Sequence, residues 1–227
     1  MLMKRVALIG LGVLGSAGVG LAIAYHQATS LPDGYRNQAQ TSLLAPNELQ
    51  AEVQQVEQKL RSLSPENSSV SLSSTDVKVL VTATIAQISQ QVKASTAIKG
   101  VHTEIDNNQL HAGAVVDLAA LQQSQLSRQE KALLQEAIQR IPGFHDRQIY
   151  LGLEGQPRMV NGQIQLDPNT RVKVGKLSFS LDQIAQRVGV APEQIQSQIN
   201  RTLPQVLSEI PVSSIEVEHD RVVLRRN

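Results

Sequence analysis

Two histidines and a carboxylate fall close together in the middle of this chain. Val101, Thr103 and Ile105 alternate with His102, Glu104 and Asp106, and Leu110, Ala112, Ala114, Val116 and Leu118 alternate on the return. Asn tolerates positive φ, so Asn107-Asn108 suits a two-residue hairpin turn between the two runs. That register sets Glu104 opposite His111, with His102 on a diagonal, all on one face. Two imidazoles and a carboxylate are donors a transition metal accepts. Three scattered polar residues are more often the solvated outer face of a hairpin, and no metal is expected. His145-Asp146 and His219-Asp220 each sit in a predicted turn or loop, where Asp is favoured for backbone reasons. The chain contains no Gly-x-Ser-x-Gly, no phosphate-cradling glycine loop and no His-Glu-x-x-His. No catalytic residue and no cofactor is therefore expected, and the protein is not expected to be an enzyme.

The elements that would position these residues follow from apolar period and punctuation. Pro46 opens a helix to about Ser62, with Leu49, Val53, Val56, Leu60 and Leu63 on one face. Pro65 to Ser69 break it. Ser73 and Asp76 form a capping box, with Leu72 and Val77 as its hydrophobic staple. The helix they start runs to about Val92 and carries Val77, Leu80, Val81, Ile85, Ile88 and Val92 on one side. After the hairpin, Ser127 to Arg140 is a predicted helix with a second box, Ser127 and Glu130, closed by Pro142-Gly143. Ile149, Leu151 and Leu153 alternate as a strand. Asn161-Gly162 is a hairpin turn before Ile164 and Leu166. Val172 and Val174 are out of phase with Leu177 and Phe179, which predicts a β-bulge at Gly175. Leu181 to Val188 form a short helix. Pro192 starts a longer one that buries Ile195, Ile199, Leu203, Val206 and Ile210, kinks at Pro204 and ends before Pro211. Ile215 and Val217, a turn at His219-Asp220 and Val222 to Leu224 close the chain. Antiparallel runs between amphipathic helices predict an α+β fold.

Ahead of all this, Val6 to Ala24 is an uninterrupted apolar run of 19 residues behind Lys4 and Arg5. As a helix it reaches roughly 28 Å, close to the hydrocarbon thickness of a bilayer. The absence of Lys and Arg until Arg36 puts the N-terminus in the cytoplasm and the rest across the membrane, in a periplasm, a lumen or at a cell surface. A cleavable signal peptide has an apolar region of only about 7–15 residues, so an uncleaved single-pass anchor is favoured. Ala22-Ile23-Ala24 nonetheless supplies a cleavage site. The expected organisation is an anchor or signal peptide over 1–26, a tether over 27–45 and an extracytoplasmic domain over 46–227. The net charge of +1 argues against nucleic acid or an anionic surface as partner. The absence of Cys excludes disulfide stapling, and five aromatic residues leave the core to aliphatic side chains.

From Val70 onward the chain resembles the YpmS/LmeA type of membrane-anchored envelope protein. The resemblance rests on the capped helix of Ser71-Leu72-Ser73-Ser74-Thr75-Asp76-Val77 and the hairpin Ile105-Asp106-Asn107-Asn108-Gln109-Leu110. Asn161-Gly162-Gln163-Ile164-Gln165-Leu166 followed by Val172-Lys173-Val174-Gly175-Lys176-Leu177 completes it. The Gln-rich, Cys-free style also resembles cyanobacterial sequences. That group is similar to tubular lipid-binding proteins, in which a curved antiparallel sheet wraps a long helix around an apolar groove. The resemblance implies non-catalytic binding of a phospholipid or another apolar envelope ligand. Val77, Leu80, Val81, Ile85, Ile88, Ile149, Leu151 and Leu153 are the side chains that would line the groove. The alternative is an envelope scaffolding protein. It would form homo- or hetero-oligomers through Leu49, Val53, Val56 and Leu60, aided by the small-residue stripe Gly12, Ser16, Gly20 and Ala24.

Overall fold

The structure, a computed structural model, describes residues 46–91, 93–128, 131–132, 134–135, 148–160, 163–188, 191–194, 197 and 212–226. Helix α1 (Pro46–Arg61) begins on a proline and has Glu48 in its first turn, with Lys59 and Arg61 in its last, so charge opposes the helix dipole at both ends. Its stripe turns inward: Val56 and Leu60 are buried, as is Leu63 just beyond. Strand β1 (Ser69–Ser73) then alternates exposed serines with buried Val70 and Leu72. Helix α2 (Ser74–Gln91) starts on the predicted capping box. The Asp76 amide donates to Ser73 Oγ at 3.2 Å, and the Ser73 amide donates to Asp76 Oδ2 at 2.9 Å. Leu72 and Val77 lie in one apolar cluster, as the staple requires. Lys59 Nζ donates to Asp76 Oδ1 at 2.7 Å and ties α1 to the start of α2.

Helix α2 is not the one-sided amphipath its stripe predicts. Val79, Thr82 and Ser89, which lie off the stripe, are buried as well. It is packed against α1, β1, and the strands β2 (Ile98–Asp106), β3 (Gln109–Asp117) and β10 (Arg221–Arg225), so cover arrives from several directions. Between α2 and β2 lies a short 3-10 helix, Ser95–Ala97. Helix α3 (Leu118–Gln122) follows β3 and is capped by Asp117, whose Oδ1 accepts from the Ala120 amide at 3.0 Å. The remaining elements in chain order are β4 (Gln148–Gly155), β5 (Pro157–Val160), β6 (Gln163–Leu166), β7 (Arg171–Val174), β8 (Leu177–Ser180), α4 (Leu181–Val188) and β9 (Ser214–Glu218).

The strands form three antiparallel sheets. The large one has order β2-β3-β4-β7-β8, the small one β1-β10-β9, and β5 pairs only with β6. Three apolar clusters hold the layers together. One gathers α1, β1, α2, Ile105 and β9–β10, and includes Val56, Leu60, Leu80 and Leu224. Another closes the end of the large sheet with Ala97, Leu118, Leu121, Leu134, Ile149 and Val174. A third seats α4 on β7 through Ile184, Ala185 and Val172.

Several expectations are met in detail. Asn107 and Asn108 both have positive φ, 49° and 61°, as a type I′ turn demands, and β2 pairs β3 in the predicted register. Strands β5 and β6 pair with Val160 opposite Gln163, while Asn161 and Gly162 themselves lie outside the described residues, and His219-Asp220 turn between Glu218 and Arg221. Gly175 is different. It is not a bulge in one strand but the first residue of a two-residue turn between β7 and β8, with φ 59° and Val174 opposite Leu177. The phase break is a chain reversal, so Val172, Val174, Leu177 and Phe179 share a face. The register irregularity of the large sheet lies between Ile98 and Gly100. Strand β1 and helix α3 are additions to the predicted order. Of the helix expected at 127–140, Arg128, Lys131, Ala132, Leu134 and Gln135 are helical. The anchor, the tether, the partner residue Glu130 and the inward stripe Ile195 to Ile210 lie outside the described residues. No helix among the described residues is long and apolar enough to cross a membrane.

Candidate functional site

Residues paired across antiparallel strands share a face, and alternate residues along a strand point to opposite faces. The pairing therefore sorts the large sheet into two surfaces. One carries Val101, Thr103, Ile105, Ala114, Leu151, Val174 and Phe179. The other carries Glu104, His111, Glu154 and Arg171 in one row across β2, β3, β4 and β7, with His102, Gly113, Gly152 and Lys173 in the next.

The polar surface is a connected set of titratable groups. Glu104 lies opposite His111, as the sequence predicts, but each turns to a different partner. His102 Nε2 is 3.4 Å from Glu104 Oε2. His111 Nδ1 is 3.9 Å from Glu154 Oε2, and Lys173 Nζ is 3.1 Å from the same oxygen. No group of three His, Cys, Asp or Glu side chains among the described residues is placed to hold a metal ion. His102 is only 4% exposed, and its Nδ1 has no hydrogen-bond partner. Its ring meets Tyr150 edge to face, with centroids 6.2 Å apart and planes at 74°. Burial pulls the His102 imidazole below its ordinary pKa. Glu104 opposes that, while His111 and Lys78 reinforce it. Burial, then the charges of Glu154 and Glu104, push the Tyr150 phenol far up, so it stays neutral.

Tyr150 reaches this enclosed position because two glycines make room. A methyl group at Gly113 would strike the Leu151 carbonyl oxygen and lie 2.6 Å from the Gly152 Cα and 2.7 Å from the Tyr150 ring. A methyl at Gly152 would lie 2.6 Å from the Tyr150 hydroxyl oxygen. The aromatic ring thus covers a side-chain-free strip of the sheet and packs on Val115.

The eight aliphatic residues expected to line a groove fall on the opposite surface and on α2. They do not form one set. Val77, Leu80 and Val81 belong to the cluster beneath α1, Ile149 with Ile85 and Leu151 to the cluster at the sheet end, and Leu153 to the cluster under α4. Val77, Leu80 and Ile149 are buried. Val81, Ile85, Ile88, Leu151 and Leu153 are only half-buried, as are Leu177 and Phe179. Of the stripe expected to pair with partners, Val56 and Leu60 are 2% and 0% exposed within this chain, and Leu49 and Val53 are half-buried.

Glu154, Lys173 and Tyr150 escape a sequence reading. The alternation of Ile149, Leu151 and Leu153 places Tyr150, Gly152 and Glu154 on the other face. Their register against β3 depends on a connection of unknown geometry and is not written in either strand. The chain matches no protein-family model, no curated protein and no solved structure.

Proposed function

We propose that this chain is a single-pass membrane protein whose extracytoplasmic α+β region binds a phospholipid or another apolar envelope ligand without catalysis. The anchor is the apolar run Val6 to Ala24 behind Lys4 and Arg5. The observation that supports ligand binding is the half-buried apolar strip of Ile85, Leu151, Phe179 and Leu153, in which Phe179 borders both the sheet-end cluster and the cluster under α4. These side chains touch the closed clusters yet keep part of their surface. Apolar surface left partly uncovered beside a packed core favours occupation by an apolar molecule. The resemblance to YpmS/LmeA-type proteins supports the same reading, because a long helix covered from several directions by strands is the arrangement that group implies.

The test is photocrosslinking in cells that make the full chain and are fed a photoreactive fatty acid. Label should appear in peptides covering 77–91 and 148–155. Label confined to residues 1–26 would report anchor lipid alone and would sink the proposal. A scaffolding role through α1 would have to work through Leu49 and Val53, since Val56 and Leu60 are spent on the chain's own core.

A further inference from the structure

Among the described residues, strand β2 is an edge of the large sheet, bonded to β3 on one side only. It carries two buried polar atoms that have no partner, His102 Nδ1 and Thr103 Oγ1, on successive residues and opposite faces. Each is a desolvated group that water would satisfy if the strand opened. Titratable groups lie around His102 on its own strand, on the strands beyond and on α2. Glu104 of β2 is 3.4 Å away and His111 stands on β3, Glu154 and Tyr150 are on β4, Lys173 is three strands away on β7, and Lys78 of α2 acts on the ring through its charge. Glu154 is already engaged by Lys173 and His111, so among the described residues Glu104, which is largely exposed, is the carboxylate paired with His102.

We infer that β2 is a proton-operated edge strand, held shut by neutral His102 and released from β3 when His102 takes up a proton. A protonated ring in this place would bury a second N–H donor without an acceptor, at Nδ1, and add a positive charge that His111 and Lys78 oppose. In the open strand the same ring is solvated and binds its proton at the ordinary pKa of about 6.5. The open form therefore binds protons more readily, and opening is favoured as pH falls. Release of β2 also uncovers Ile105 and the flank of α2 that it covers. None of this depends on what occupies the aliphatic strip.

Hydrogen exchange of the full chain in detergent micelles tests the inference, read as protection factors, which remove the intrinsic pH dependence of exchange. The amides of 98–106 should lose protection by up to tenfold per pH unit below about 6.5. Those of 221–225, which open only when the whole fold unfolds, should stay better protected at every pH. His102→Gln and His102→Phe should each abolish the dependence, and either suffices if the other does not fold. His111→Gln should keep it. Three results would overturn the inference: protection in β2 equal to that of β10 at every pH, a dependence that survives in a folded His102 variant, or one that disappears in His111→Gln.

Discussion

The two surfaces of the large sheet are made from alternate residues of the same strands, and they are stabilised in different ways. The inner surface is ordinary aliphatic packing, with Ile149 and Val174 fully enclosed and neighbours drawn from α2, α3 and β8. The outer surface encloses a histidine and a tyrosine over bare backbone at Gly113 and Gly152. Inside, stability scales with the volume of the side chains present. Outside, it depends on two side chains that are absent. Both surfaces are buried in part, so burial alone does not distinguish a core from a specialised surface; the chemistry of the enclosed groups does.

Substitutions can break or sharpen that contrast. The largest effect is expected inside. Ile149→Ala should cost about 2–5 kcal/mol in urea unfolding, from lost transfer energy and the cavity left behind. Outside, adding volume should do the damage. Gly113→Ala should cost about 1–3 kcal/mol because the new methyl meets backbone. Gly152→Ala should cost less, since what it meets is the Tyr150 side chain, and Tyr150→Leu should recover most of that loss in the double variant. Equal costs at the two glycines, with no recovery, would remove the distinction drawn here.

Next in size is Asp76, which belongs to neither surface but caps α2, the helix packed beside them. Asp76→Ala should cost about 0.5–2 kcal/mol through the lost cap. Burial alone would raise this carboxyl, but hydrogen bonds from Lys59 and Ser73 outweigh it and hold it below the usual 3.8. Its contribution is therefore complete above that value and is lost as pH falls through the folded pKa. His102 behaves in the same direction at higher pH. Its stabilisation is full above about 6.5 and declines as pH falls toward its lowered folded value. Thermal unfolding across pH 3 to 8 should thus show two separate declines, with His102→Gln removing the upper one and Asp76→Ala shrinking the lower, to which Asp117, held down by the Ala120 amide, also contributes. The smallest effect is expected for Lys173→Met, under about 1 kcal/mol, because Lys173 and Glu154 both retain solvent contact.

What the sequence revealed and what it hid divide along contact range. The capping box of Ser73 and Asp76, the Asn107-Asn108 turn and the helix from Leu181 to Val188 are local, and all are where the residues place them. Strand β1 was not legible, because five residues with three serines become a strand only by pairing with β10, far along the chain. The phase break at Gly175 was visible, but its cause was not, since a bulge and a reversal leave the same trace in the side-chain pattern. For the candidate site, His102, Glu104 and His111 could be placed on one face from a single hairpin. The partners that decide their chemistry, Glu154, Lys173 and Tyr150, come from strands whose register no short-range signal sets.

The pairing of β1 with β10 has a consequence for how the protein is made. Ser69 faces Arg225, and β10 is the middle strand of its sheet, flanked by β1 and β9. Val222 and Leu224 of that strand complete the cluster that holds α1 and α2. This cluster cannot close until residue 225 has left the ribosome. Until then the apolar faces of α1 and α2 lack their cover, so closure of this core waits on long-range pairing and not on local contacts.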